Sequence, residues 1–346
     1  MADAAVGTNR HKRRKQAAQG QRKDTRSVKL PGLPKLLARK IYKTGQTRGA
    51  DDDEIYQNRV SRTNTVLIPY ALWEKCREPG IGKRYAKGSI VLINPVTYFE
   101  DPNIGETLAR QGLELGKNAL VFYEKREDWV AHSPDKLGWR AANRRGNDLG
   151  GQYVARISAT TGSDGKKIAH GFTTTKNKGA GIRVYEYADA ETIESCGTQL
   201  EGLFWLCADS VDAAIAGGMS REDAVFRKAA IIQECEQKKL LEIQKLKALR
   251  IVNLNAHTVC PLCLSELSGL GFLTRQAQAP GREVHDLTIT EVNLFHIEEL
   301  KHTEFNHRQY NLGWGHHHCN IVVKDAGIEP TLAWMRSVIA KNDEDN

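Results

Sequence analysis

No run of apolar residues in this chain approaches the roughly 20 that a membrane-crossing helix needs. Its first residues are charged and hold no apolar stretch of the secretory kind. The chain therefore reads as cytoplasmic, with no membrane partner. Cysteine is odd in number, at seven over 346 residues, which argues against a disulfide framework. No repeat of 20–50 residues recurs, so a solenoid or propeller is not expected. Acids are almost missing from the first 50 residues, where 14 Lys and Arg face only Asp3 and Asp24. The remainder holds 36 basic and 40 acidic residues. The net charge of +8 thus comes from one end, and a nucleic acid would be gripped by that arm and by local patches.

What is present is an ordinary globular composition, 40% apolar and 27% charged, long enough for two or three domains. Residues 1–45 form a basic arm, with a short helix predicted after Pro34. Ser89–Ile93 and Ala119–Tyr123 read as buried strands, with helical turns between Gly105 and Gly116. Tyr153–Ile157 and Ile182–Tyr187 read as strands around long polar loops. Those loops carry Arg144, Arg145, Lys166, Lys167, Lys176 and Lys178 among Gly, Ser, Thr and Asn, a composition suited to phosphates and base edges. Ser220-Arg221-Glu222-Asp223 resembles a capping box that opens a long connecting or dimerising helix over 219–252.

Two cysteine-bearing knuckles carry the chemistry. Cys260-x-x-Cys263 and His316-x-x-Cys319 offer four N/S donors in pairs at equal spacing, the requirement of a closed tetrahedral Zn²⁺ site. His317 or His318 can replace His316 as the imidazole ligand. The other four cysteines read as inert reduced thiols. Between the knuckles a strand ends near His296, a polar loop follows, and Tyr310-Asn311-Leu312 leads toward a helix from about His316.

His296, Asn311 and Asn320, in that order and framed by the CPLC and HHHC knuckles, resemble the zinc-containing HNH, or ββα-metal, nuclease motif over about 257–325. The resemblance implies that His296 is the general base and that Asn311 orients it and pins the loop. It also implies that Asn320 ligates a catalytic Mg²⁺ while Zn²⁺ is structural. The family commonly places an acidic metal ligand just before the first His, and Phe295 stands there. Glu298, Glu299 or Asp286 must then supply the carboxylate, with Glu298 favoured because an extended chain puts it on the face of His296. His307 and its neighbour Arg308 lie near Asn311, where Arg308 suits a phosphate. His257, His285, His302 and His307 otherwise read as surface or structural.

The whole chain is similar to type II restriction endonucleases, in particular the BstXI-type enzymes. That implies cleavage of double-stranded DNA at a specific site, a homodimer with one active site per strand, and a cognate DNA methyltransferase in the same cell. The expected fold is α+β: the arm at 1–45, a strand-rich DNA-recognition domain at 46–218, the helix at 219–252, and a C-terminal zinc-stabilised nuclease domain at 253–346 that ends in a helix from about Thr331. Two other readings compete. Pro134-Asp135 with Asp164-Gly165-Lys166 matches the loose PD-(D/E)xK nuclease pattern. A zinc-stabilised DNA-binding protein without catalysis would also explain the basic arm and loops.

Overall fold

Runs of β-branched and aromatic residues with no polar alternation make strands that are buried on both faces, the signature of a parallel sheet. The computed structural model describes residues 29–42, 65–144, 148–155, 157, 170–171, 182–275, 290–324 and 326–344. Two compact units are present, Met1–Pro31 and Gly32–Asn346; the elements below belong to the second. Its larger sheet holds β1 (Val66–Pro69), β2 (Ser89–Ile93), β3 (Ala119–Tyr123), β4 (Tyr153–Ala155) and β5 (Ile182–Arg183) in the order β4-β3-β2-β1-β5. Every neighbouring pair is parallel, with Leu67 opposite Ile90, Leu92 opposite Leu120, and Phe122 opposite Val154.

Parallel neighbours need crossovers, and short helices supply them. α1 (Lys35–Tyr42) precedes the sheet, and α2 (Trp73–Cys76) follows β1. α3 (Pro95–Glu100) and α4 (Ile104–Arg110) link β2 to β3, and α5 (Arg126–Ala131) follows β3. α3 starts where Asn94 accepts the Val96 N–H at 2.9 Å, with Pro95 in the first turn. One face of the sheet packs Val91, Ile93 and Val121 against Tyr98, Ile104, Leu108 and Trp129. On the other face Ile90, Leu120 and Val154 meet Ala142 and Leu149.

The chain mixes helix and strand as expected, and the region at 46–218 holds a five-stranded parallel sheet with helical crossovers. The strand expected over Tyr153–Ile157 is shorter. Ile182–Tyr187 gives two strand residues and then a 3-10 turn, Val184–Glu186.

The remaining helices build the second half of the core. α6 (Ala190–Trp205) is buried along its last ten residues, Cys196 to Trp205. Asp189 caps it by accepting the Thr192 N–H at 2.8 Å. α7 (Ser210–Ala216) and α8 (Arg221–Gln237) pack around it. Ser220 caps this helix as expected, accepting the Asp223 N–H at 3.1 Å. The single helix expected over 219–252 is broken, however. α8 ends at Gln237 and α9 spans Ile243–Ala248. Leu240 and Leu241 between them are buried, Lys239 takes a positive φ of 55°, and Gln199 donates to the Leu240 carbonyl at 2.7 Å. Burying two leucines wins over continuing the helix. α8 is clasped to α6 by Arg227, whose Nε and Nη2 reach Glu201 at 2.6 and 2.9 Å, while Tyr42 and Trp205 donate to the same buried carboxylate.

β6 (Val292–His296) and β7 (Leu312–His316) form a separate antiparallel pair, followed by α10 (His317–Val323) and α11 (Ile328–Glu344). α6 lies before the expected boundary at 218, yet it packs into this C-terminal module. Trp314 donates to the Leu200 carbonyl at 2.8 Å, and Gln199 accepts the Tyr310 N–H at 2.8 Å. Among the described residues no helix is long and apolar enough to cross a membrane.

Candidate metal centre and active site

β6 and β7 register Val292 against His316, Leu294 against Trp314, and His296 against Leu312. α10 begins directly after β7 and packs on both strands. The local order is strand, loop, strand, helix.

The first cysteine pair lies on a tight knuckle. Leu264 donates to the Cys260 carbonyl at 2.8 Å and takes a φ of 62°, and Cys260 donates to the Ser265 carbonyl at 2.9 Å. Arg250 holds the knuckle from outside, donating to the Pro261 and Leu262 carbonyls at 2.8 and 3.3 Å. The second pair comes from the end of β7 and the first turn of α10. The four donor atoms of Cys260, Cys263, His316 and Cys319 lie within 4.8 Å of one another. His316 Nδ1 is 3.4 Å from the Cys263 sulfur. Of the three neighbouring histidines, His316 is therefore the member of the cluster, and His318 stacks on it with centroids 5.3 Å apart.

Sulfurs around a tetrahedral zinc, each roughly 2.3 Å from it, lie just under 4 Å apart, so this spacing fits such an ion. Burial, and then the neighbouring Cys260 and Cys263 thiols, push the Cys319 thiol pKa upward. Crowded thiols lacking a cation resist ionising together, whereas a soft divalent cation would stabilise them as thiolates. The other four cysteines are buried and unpaired. Burial raises Cys196 and Cys235 to about 12 and pushes Cys76 and Cys207 up as well, which fits inert thiols.

The loop between β6 and β7 is fixed by two asparagines. Asn311, 5% exposed, accepts the Glu298 N–H at 2.7 Å and donates to the Asn306 carbonyl at 2.9 Å and the Glu298 carbonyl at 3.4 Å. Its own carbonyl accepts the Ile297 N–H at 3.1 Å. Asn306 accepts the Lys301 N–H at 3.0 Å and donates to the Glu299 carbonyl at 2.6 Å. The loop so tied turns His307 inward, where it is 1% exposed and its ring lies 5.6 Å from that of His296. His307, which the sequence places near Asn311 and reads as surface or structural, is thus buried beside the half-buried His296.

Phe295 is fully buried, and its ring covers Gly315, where a Cβ would collide with it. The aromatic ring thus fills core space directly before His296. Asn320 lies half-buried on α10, one residue after Cys319. Glu298 and Glu299 are exposed and line a cleft of about 440 Å³ together with Arg250, Lys301 and Glu329. Among the described residues neither carboxylate is held by another side chain.

Arg308 is exposed beside His307, and Arg144 is exposed at the end of a described stretch. Arg145, Lys166, Lys167, Lys176, Lys178 and Asp286 lie outside the described residues. So does the second half of the PD-(D/E)xK pattern, while Asp135 lies in a 3-10 turn, Pro134–Leu137.

A paired-strand and helix module clasped by a Cys₃His cluster, joined to a parallel-sheet domain, is the frame for comparison with known families. The family model described as BstXI restriction endonuclease matches residues 39–317, most of the chain. The protein is thereby a type II restriction endonuclease, an enzyme acting on double-stranded DNA. It belongs to the BstXI restriction endonuclease family. The matched span includes Cys260, Cys263, His296, Asn311 and His316 and ends before Cys319 and Asn320. No curated protein and no solved structure gives a significant match.

Proposed function

We propose that the C-terminal module is the cleavage centre and that it hydrolyses phosphodiesters as an HNH, ββα-metal nuclease. The observation that carries the proposal is Asn311, whose side chain ties both ends of the β6–β7 loop beside His296. In this reading His296 takes the proton from the attacking water as general base. Asn311 holds the strand end from which the imidazole projects. Oxygen donors suited to a hard cation come from the Asn320 amide and from Glu298, with Glu299 as its alternative. A Mg²⁺ bound there supplies charge stabilisation at the scissile phosphate and the leaving oxygen. Cys260, Cys263, His316 and Cys319 hold a structural Zn²⁺ that fixes the start of α10, and Asn320 with it. Arg144, Arg145, Lys166, Lys167, Lys176, Lys178 and Arg308 serve phosphates and base edges. Two copies cut the two strands, and a cognate methyltransferase protects the host's own sites.

Purified protein is incubated with unmethylated phage DNA in Mg²⁺ or in EDTA. Discrete Mg²⁺-dependent fragments that disappear in His296→Ala are expected. Fragments that persist at wild-type rate in that variant would remove His296 as the base. Intact DNA that shifts on a native gel would leave a zinc-stabilised DNA-binding protein.

A further inference from the structure

The loop from Arg77 to Gly88, between α2 and β2, has a rigid base and an unusual tip. At its base Tyr85 is buried and donates its hydroxyl proton to the Cys76 carbonyl, and its ring meets Tyr187 edge-on with centroids 4.8 Å apart. Gly88 donates to the Tyr85 carbonyl at 2.9 Å and accepts the Val66 N–H at 3.0 Å, which joins the loop to the first strand of the sheet.

The tip is Gly80-Ile81-Gly82-Lys83-Arg84. A turn closes it, with the Lys83 N–H on the Gly80 carbonyl at 3.0 Å and Gly82 at a φ of 68°, a conformation that favours glycine. Ile81 is 105% exposed, as open as in an extended peptide. Arg77, Lys83, Arg84 and Lys87 around it are all exposed, and Glu78 is the loop's one acid. Among the described residues Arg77, Arg84 and Lys87 make no ion pair. Lys83 contributes to lowering the pKa of Asp189, after that carboxylate's hydrogen bonds to Thr192.

The base of this loop touches the β6–β7 loop. The Cys76 thiol donates to the His302 carbonyl at 3.6 Å, and Phe305 packs against the cluster of Cys76, Tyr85 and Tyr187. The projecting loop is thus mounted on the segment that carries Asn306, His307 and Asn311.

We propose that Arg77–Gly88 is a DNA-contacting finger, in which Lys83 and Arg84 bind backbone phosphates and Ile81 enters a groove of the same duplex. The assignment rests on duplex DNA being the substrate, and it is independent of the HNH chemistry. A lone exposed isoleucine needs no explanation. One held between glycines at a turn, ringed by cations and fixed to a nuclease loop, has the makeup of an apolar contact to base edges or a wedge between them. The cations around it neutralise phosphates and set the register.

Binding is measured with the full chain in Ca²⁺ in place of Mg²⁺. The probes are a short duplex carrying the mapped cleavage site and a random duplex of equal length, over a range of salt. Lys83→Ala with Arg84→Ala is expected to weaken both duplexes about tenfold or more and to flatten the salt slope by about two, close to one per phosphate lost. Ile81→Ser is expected to weaken the site duplex about tenfold, the scale of one lost base contact, and the random duplex much less. Lys117→Ala, whose side chain pairs with Glu114 at 2.7 Å, serves as the control and should match wild type. Wild-type affinity and slope in the double variant, with wild-type protein binding and cutting DNA, would overturn the finger alone. Wild-type protein that binds neither duplex would overturn the DNA reading with it. All three changed side chains are exposed, so unchanged thermal melts are expected; if the double variant melts early, Arg84→Glu alone should show the same loss.

Discussion

Asn311 offers the sharpest separation of scaffold from chemistry. Replacing it with alanine removes three hydrogen bonds: the Glu298 N–H at 2.7 Å, the Asn306 carbonyl at 2.9 Å and the weaker Glu298 carbonyl contact at 3.4 Å. The position is 5% exposed and Asn306 is 2% exposed, so water cannot readily replace the lost partner of the Asn306 carbonyl. Each well-formed bond removed with its partner left buried costs about 1–3 kcal/mol. Two such bonds give roughly 2–6 kcal/mol, and the exposure of Glu298 puts the expected loss in the lower half, about 2–4 kcal/mol, read from urea unfolding with an unchanged m-value. Cleavage should suffer more than stability accounts for. The loop would relax next to His296, and a catalytic group displaced by about 1 Å can lose on the order of a hundredfold in rate. Asn311→Asp makes the comparison quantitative. It keeps the acceptor for the Glu298 N–H but aims a carboxylate at the Asn306 carbonyl. That variant should therefore be no more stable than Asn311→Ala at neutral pH and should recover as the new carboxyl is protonated. The measurements are denaturant midpoints and Mg²⁺-dependent cleavage rates on one plasmid. An alanine variant within about 0.5 kcal/mol of wild type that also cuts at wild-type rate would refute both the structural and the catalytic role.

Two further outcomes follow from other parts of the structure. Elemental analysis should find about one zinc per chain. Cys263→Ser should lose it and destabilise the fold by about 4 kcal/mol, the scale for tying a loop of the 53 residues that separate Cys263 from His316; a metal-free variant with an unchanged unfolding midpoint would exclude the structural role. Lys40, on α1, is fully buried against Thr290, Asn293 and the Phe272 ring, and burial lowers its pKa to about 7 from 10.5. Between those values the unfolded chain carries a proton that the folded chain lacks, so raising the pH favours folding. Lys40 alone should then add up to about 1.4 kcal/mol of stability per pH unit from about pH 7 to 10. Lys40→Met should melt higher at pH 7 and lose that slope, and equal slopes in the two proteins would show the ammonium to be solvated.

Local chemistry was legible from residue order because it depends on near neighbours. Ser89–Ile93 and Ala119–Tyr123 form the strands expected of continuous apolar runs, and Ser220 caps its helix as its spacing requires. His296 ends one strand and Asn311 precedes the next. Each of these is fixed by a few residues and a backbone period. What lay beyond sequence reading depends on partners distant in the chain. Spacing alone left His316, His317 and His318 equivalent; the register of β7 against β6 brings His316 to Cys263, 53 residues away. Nothing local marks Leu240 and Leu241 as a helix break. The core formed with Gln199 and Cys235 draws them in and stops the helix at Gln237. The strand order β4-β3-β2-β1-β5 was equally hidden, since no local signal names a strand's neighbours. Phe295 in place of an acid was visible as a departure, but its packing against Gly315 was not. The juxtaposition of His307 with His296, and of the Ile81 loop with His302, also arises only once the chain is packed. Sequence determined which side chains are available for metal and proton chemistry; tertiary structure decided which of them meet, because burial and pairing join residues that the chain keeps far apart.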